Sequence, residues 1–412
     1  MDETPLRCLL IARQGPEDRE DLIQDHLLEL AELARSCGFE VLTRRILKRS
    51  QIANKTFYGS GQLEALADEA GRQGVRYLIC DDELRGGQVN AIEKATNLIC
   101  LDRTGLILSI FEQRAQTREA KAQVELARCE YELPRLKGAW THLERQGGGV
   151  GLRGGPGETQ IEVDRRLVRT RISQLKRELT HLEQVRQTQR QGRPKGLPRV
   201  ALVGYTNAGK TSLLKALTGE GEPRDLLFAT LDTTTRKAWL GQDFDPETGE
   251  GSLEARQCLV ADTVGFIRKL PHQLVAAFRS TLGEVRTADA LLVVADAAHP
   301  DLEEHLKIVG ATLREIGCEA EGIEAQPRLL VLNQVDRLHR PQKLELKKRH
   351  PGATQVCAIQ GEGVDEIRVW LRGLIAGPAK PRELEAWELP EAGSGAAPRP
   401  AVLEPSPDGA AG

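Results

Sequence analysis

The eight residues Gly204-Tyr205-Thr206-Asn207-Ala208-Gly209-Lys210-Thr211 constrain what this chain can fold into more than any other stretch. They follow an apolar run from Arg199 to Val203, which reads as a buried strand, and precede Ser212 to Thr218, which reads as the start of a helix. Strand, G-x-x-x-x-G-K-[ST] and helix together are the setting of a phosphate-binding loop. Glycine at each end lets the backbone wrap tightly, so that successive N–H groups point inward at a β-phosphate. Lys210 is placed to reach the β- and γ-phosphates, and the Thr211 hydroxyl to sit on Mg2+. The plainer alternative is a glycine-containing strand-to-helix turn that binds nothing.

The 412 residues leave room for roughly two or three domains. A net charge of −3 with 28% charged residues argues for a soluble protein without a globally basic surface, so any nucleic-acid affinity needs a local patch. The eight cysteines are scattered and form no C-x-x-C, so neither a zinc site nor a disulfide framework is expected. No apolar run approaches about 18 residues, and the first residues are no signal peptide, so a cytoplasmic protein is expected.

The pattern along the chain predicts an α/β protein in parts. Residues 1–110 alternate strands (Arg7–Ala12, Glu40–Arg44, Tyr77–Cys80, Leu98–Leu101) with amphipathic helices (Leu22–Leu33, Gly61–Gln73, Gly86–Lys94), which predicts a parallel α/β domain. Residues 111–193 turn dense in Glu, Arg and Gln and are split by the glycine-rich stretch Gly147–Gly157. Ile161, Val168, Ile172, Leu175, Leu179 and Leu182 make a coiled-coil seam, so an antiparallel hairpin of two helices is expected, each of roughly 30 residues and about 45 Å. Its exposed face would carry Arg114, Arg118, Arg128, Arg135, Arg145, Arg153, Arg165, Arg166, Arg169 and Arg171, either as a nucleic-acid surface or as an ordinary solvated face. A linker at 194–198 leads to a P-loop domain over 199–376, with a mostly parallel sheet and flanking helices. The Pro/Ala/Gly/Glu-rich residues 377–412 are expected to be disordered.

A phosphate loop does not name the base. Asn333-Gln334-Val335-Asp336, directly after the strand-like Arg328–Leu332, resembles the N-K-x-D signature of GTPases. A carboxylate at Asp336 can accept hydrogen bonds from guanine N1–H and the 2-amino group. Adenine offers neither donor, and leaving the carboxylate unpaired costs on the order of a few kcal/mol. Gln334 stands where the pattern has lysine, which predicts weaker binding and faster nucleotide release. Asp262-Thr263-Val264-Gly265 matches D-x-x-G, with Asp262 holding Mg2+ through a water and the Gly265 amide touching the γ-phosphate. Phe228-Ala229-Thr230-Leu231-Asp232 supplies a switch threonine: Thr230 is the expected second Mg2+ ligand, with Thr233 to Thr235 as rivals. Cys357-Ala358-Ile359 is the candidate base loop, its Ala358 amide aimed at guanine O6. Phe266 follows Gly265 where many GTPases place a water-orienting Gln, so hydrolysis is expected to be slow without another group or a partner.

These residues, with Tyr58-Gly59-Ser60-Gly61, the segment Gly147 to Arg166 and Asp262 to Arg268, resemble the HflX GTPases of the Obg–HflX branch over about residues 6 to 376. The resemblance implies a Mg2+-dependent GTPase, monomeric, that binds the large (50S) ribosomal subunit. It places the hairpin against ribosomal RNA and implies a role in protein synthesis, ribosome rescue or splitting, or ribosome biogenesis. Departures are Gln334, Gln62 where a lysine is usual, and an added glycine in Arg153-Gly154-Gly155-Pro156. Two other readings stay open: a ribosome-independent switch whose coiled-coil hairpin binds a protein effector, and a P-loop NTPase of relaxed base specificity.

Overall fold

A computed structural model describes residues 6–49, 52–53, 55–136, 160–191, 197–221, 227–228, 231, 233–241, 257–269, 279–318 and 326–375. The predicted segments Gly147–Gly157 and 377–412 lie outside these residues, as do Ala229, Thr230 and Asp232.

The first sheet holds β1 (Leu6–Gln14), β2 (Phe39–Lys48), β3 (Tyr77–Cys80) and β4 (Ile99–Asp102) in the order β2-β1-β3-β4, every pair parallel. Its helices are α1 (Glu20–Ser36), α2 (Ser60–Gln73) and α3 (Gly86–Thr96). Alternation along β1 explains why the strand is apolar throughout. Leu10 and Ala12 face α1 and its Leu27 and Leu30, while Leu9 and Ile11 face α2 and its Leu63 and Leu66. A parallel strand covered on both faces has no polar side to show.

Helix α4 (Arg103–Arg114) was not separated in the sequence, because its apolar residues lie on too many sides for an amphipathic pattern. Leu106, Ile107, Leu108, Ile110 and Phe111 are each no more than 1% exposed. One apolar cluster runs from β1 and α1 through α4 to Tyr205, Phe228 and Phe266 of the nucleotide region. Phe111 and Phe228 meet edge to face across that junction, with ring centres 4.6 Å apart.

Helices α5 (Arg118–Glu132) and α6 (Gln160–Gln191) run antiparallel, as the pairs Arg118–Glu178 and Arg171–Glu125 show. The seam is where the spacing put it. Leu175 packs on Ala122 and Leu126, with Ile172 and Leu179 beside it. Helix α5, the described part of the first arm, is 15 residues long and ends two residues before Pro134. The arginine face is not bare: Arg118, Arg128 and Arg171 pair with Glu178, Glu132 and Glu125, and Arg135 turns inward to Asp102 and the Leu84 carbonyl.

The second sheet has β5 (Arg199–Gly204), β6 (Thr234–Trp239), β7 (Gln257–Asp262), β8 (Ala290–Asp296), β9 (Arg328–Asn333) and β10 (Thr354–Gln355) in the order β10-β9-β8-β5-β7-β6. All pairs are parallel except β6 on β7. Helices α7 (Lys210–Thr218), α8 (Arg279–Arg286), α9 (Leu302–Glu315), α10 (Arg340–Arg349) and α11 (Val364–Ile375) accompany it. The loop after β5 therefore opens at the carboxyl ends of central strands, where doubly wound sheets bind ligands.

Candidate nucleotide site

Two glycines in the β5–α7 loop are sterically required. A Cβ at Gly204 would overlap the Val294 carbonyl, and one at Gly209, whose φ is +86°, would overlap the Asn333 amide. Asn207 between them also takes a left-handed φ of 61°. Lys210 is buried and its Nζ donates to the Gly204 and Tyr205 carbonyls at 3.2 and 2.8 Å. Burial pushes its pKa down to about 8, partly offset by the Asp262 charge. The Thr211 hydroxyl donates to Asp262 Oδ2 at 2.7 Å.

The D-x-x-G segment lies against this loop as a short extension of the sheet. Thr206 N–H donates to Phe266 O at 2.8 Å and Phe266 N–H to Gly204 O at 3.0 Å. Gly265 is required for the approach, since a Cβ there would lie 2.8 Å from Thr206 Cα. Thr263 anchors the segment from below by donating to Leu202 O. The Phe266 ring is 1% exposed and packs in the apolar cluster. Val264 is buried in the same cluster.

On the other side, the Asn333 amide donates from Nδ2 to Ala208 O at 3.0 Å and accepts the Ala358 N–H at Oδ1, 3.1 Å. One side chain thus ties the phosphate loop to the candidate base loop. The Ala358 amide, expected to face the base, is committed to Asn333. Gln334, held at φ 63°, donates from Nε2 to Asn207 O at 3.2 Å and so tethers the phosphate loop from the position where the pattern has lysine. Val335 is buried, Asp336 is exposed beside the buried Cys357, and Ile359 is 85% exposed. Phe228 and Leu231 are 2% exposed and belong to the core, so their side chains do not reach the loop. Of the rivals to Thr230, Thr234 stands opposite Asp262 in the β6–β7 ladder, Thr235 follows it, and Thr233 precedes the strand.

What lies behind the loop has no local signature in the chain. The Tyr205 hydroxyl donates to Glu29 of α1 and accepts the Arg268 N–H at 2.9 Å. Arg103 is buried between Glu29 and Asp81, and its Nε donates to Arg268 O. Lys269 Nζ lies 2.5 Å from Asp81 Oδ2. Burial raises the Asp81 pKa, against the pull of Lys269. A basic pair two residues after the D-x-x-G-F run was visible, but nothing local in the chain names partners 188 residues away. A cavity of about 360 Å³ opens between this side of the loop and α1, lined by Asp25, Glu29, Thr206, Arg268 and Asp301 among others. His299, Asp301 and His305 cluster there with ligand atoms within 4.8 Å of one another. Arg268 holds Asp301, His299 Nδ1 accepts the Asp301 N–H, and the His305 ring stacks flat on Tyr205 at 3.7 Å. Burial, with His299 and Arg268 nearby, pushes the His305 pKa down to about 3.

Comparison with known proteins agrees with this geometry along the chain. Family models described as GTP-binding GTPase N-terminal, GTP-binding GTPase Middle Region and 50S ribosome-binding GTPase match residues 24–112, 114–193 and 199–334. The GTPase HflX of Magnetococcus marinus is 44% identical over 376 residues, covering 90% of this chain and 83% of that one. The chain belongs to the HflX GTPase family. The GTPase HflX of Escherichia coli is 42% identical over 352 residues, 84% of this chain and 78% of its own. Among solved structures, a GTP-binding protein from Sulfolobus solfataricus in complex with GDP aligns at 24% identity and TM-score 0.45, covering 89% of this chain and 98% of that one. The HflX-family chain is therefore a GTPase. No described helix is long and apolar enough to cross a membrane.

Proposed function

We propose that this HflX-family GTPase binds GTP at Gly204–Thr211 and hydrolyses it slowly until the large ribosomal subunit engages it. The observation that carries the site is Asn333, whose side chain joins Ala208 of the phosphate loop to Ala358. That brace brings the phosphate-binding and base-binding segments into one unit, with Asp336 exposed at its rim for guanine N1–H and the 2-amino group. The loop amides and the N-terminus of α7 favour phosphate charge. Lys210 would exchange its two carbonyl partners for phosphate oxygens. The Thr211 hydroxyl and Asp262 carboxylate form an all-oxygen donor pair that fits Mg2+, with Thr230 as the further ligand. When bound, Mg2+ neutralises charge developing on the β- and γ-phosphates.

The need for a partner follows from Phe266: a buried phenyl ring can neither orient nor polarise water. The family model for a 50S ribosome-binding GTPase names that partner class. Contact with ribosomal RNA falls to the exposed Arg169 and to the arginines of residues 137–159, since Arg118, Arg128 and Arg171 are engaged by glutamates. In the rival reading of a hairpin that binds a protein effector, the described seam at Leu175 is not the docking surface, because α5 already covers it. The test is GTP turnover by the full chain with and without purified large subunits. Acceleration supports the proposal, and turnover indifferent to the subunits refutes it.

A further inference from the structure

Four residues of the phosphate loop and the Asp262–Phe266 segment carry hydroxyls: Tyr205, Thr206, Thr211 and Thr263. Three are committed. Tyr205 bonds Glu29, Thr211 bonds Asp262, and Thr263 bonds Leu202 O. Thr206 is 7% exposed, and its Oγ1 has no hydrogen-bond partner. A buried hydroxyl without a partner carries a desolvation cost that a ligand can remove.

The position of Thr206 says which ligand. A Cβ placed on Gly265 would lie 2.8 Å from both Thr206 Cα and Cγ2, and 3.0 Å from Lys210 Nζ. The Thr206 backbone and methyl, Lys210 Nζ and the Gly265 backbone therefore meet at the γ-phosphate end of the loop, and a rotation about the Thr206 Cα–Cβ bond brings the hydroxyl to the place of the methyl. The hydrogen bond from Thr206 N–H to Phe266 O fixes that residue against the segment whose own side chain turns into the core.

We propose that Thr206 is a catalytic residue of GTP hydrolysis, its hydroxyl supplying the water-orienting group that Phe266 cannot. This rests on the reading of Gly204–Thr211 as the site of GTP. A hydroxyl can accept a hydrogen bond from the attacking water while donating a hydrogen bond to a γ-phosphoryl oxygen. The water oxygen forms the new bond to phosphorus, the bond to the β–γ bridging oxygen breaks, GDP leaves with that electron pair, and the water's proton ends on inorganic phosphate. Thr206 keeps its own proton throughout.

The experiment compares full-length wild-type protein with Thr206→Val, which keeps the shape and removes the hydroxyl, and Thr206→Ser, which restores it. Single-turnover hydrolysis of GTP is measured beside equilibrium binding of fluorescent GTP and GDP. Thr206→Val is expected to bind both nucleotides within about threefold of wild type and to hydrolyse GTP on the order of tenfold to a hundredfold more slowly, with Thr206→Ser recovering most of the rate. Wild-type hydrolysis by Thr206→Val overturns the proposal. So does a loss of binding that tracks the loss of rate, since the side chain then serves packing. Lys210→Ala separates the two levels: undiminished GTP binding by that variant would sink the reading of the loop itself, whatever Thr206 does.

Discussion

Lys210 holds a charge where burial opposes it, and that makes it both the best test and the clearest cost of the site. Its pKa sits at about 8 instead of the usual 10.5. Between those values the unfolded chain binds more protons than the folded one, so stability of the nucleotide-free protein should rise with pH from about 8 to 10.5. Below about 8 the cost is fully present, on the order of 3 kcal/mol. Lys210→Met is expected to raise the melting temperature at pH 7, to flatten that alkaline rise in a pH series of melts, and to abolish GTP binding. Asp336→Ala should weaken GDP by about tenfold or more and leave weak ADP binding unchanged, read by competition for a fluorescent nucleotide. Lys210, Thr211, Asp262, Asn333 and Asp336 were legible in the sequence because each belongs to a short motif with fixed spacing. The bond from Gln334 to Asn207 was not, because a side chain that meets a backbone carbonyl 127 residues away leaves no pattern.

Helix α6 was legible from its spacing alone, since a 32-residue helix repeats its apolar stripe many times over. Its partner α5 was not. Fifteen residues facing both α6 and α4 bury Ala120, Ala122, Val124, Leu126 and Ala127 on more than one side, which blurs the period. The hairpin should stand on its apolar contact more than on its ion pairs. Leu175→Ala is expected to cost about 2 to 5 kcal/mol locally. Faster hydrogen exchange across α5 and α6, with GTP affinity unchanged, is the readout. Reversing the charge of Arg171, in an exposed pair with Glu125, should leave the melting temperature nearly unchanged once repulsion is screened by salt.

Around the first sheet, from β1 to β4, strand and helix order could be read in advance, but the continuity of the core across the whole molecule could not. Periodicity reports which face of an element is buried, never against what. The junction is dominated by Arg103, and Arg103→Met is expected to destabilise the chain by about 3 to 5 kcal/mol, because Glu29 and Asp81 would be left buried with less compensation. A lowered melting temperature in calorimetry checks this. Acid should attack the same region. His305 and His26 are held neutral, with pKa values pushed down to about 3 and about 4, mainly by burial. The unfolded chain takes up those protons first, so stability is lost as pH falls from about 6.5 toward these values. His305→Phe, which keeps a ring on Tyr205, should make that acid loss shallower in a pH series of melts.

The shared hydroxyl of Tyr205 has a practical corollary. A nucleotide domain cut free near residue 197 would surrender the Glu29 acceptor of Tyr205, the Asp81 partner of Lys269 and the Phe111 ring against Phe228. Such a fragment would present a raw face directly beneath its own phosphate loop. Rates measured on it would describe a different enzyme, and grafting the domain onto a foreign scaffold would require a replacement for α1 and α4 as well as a linker.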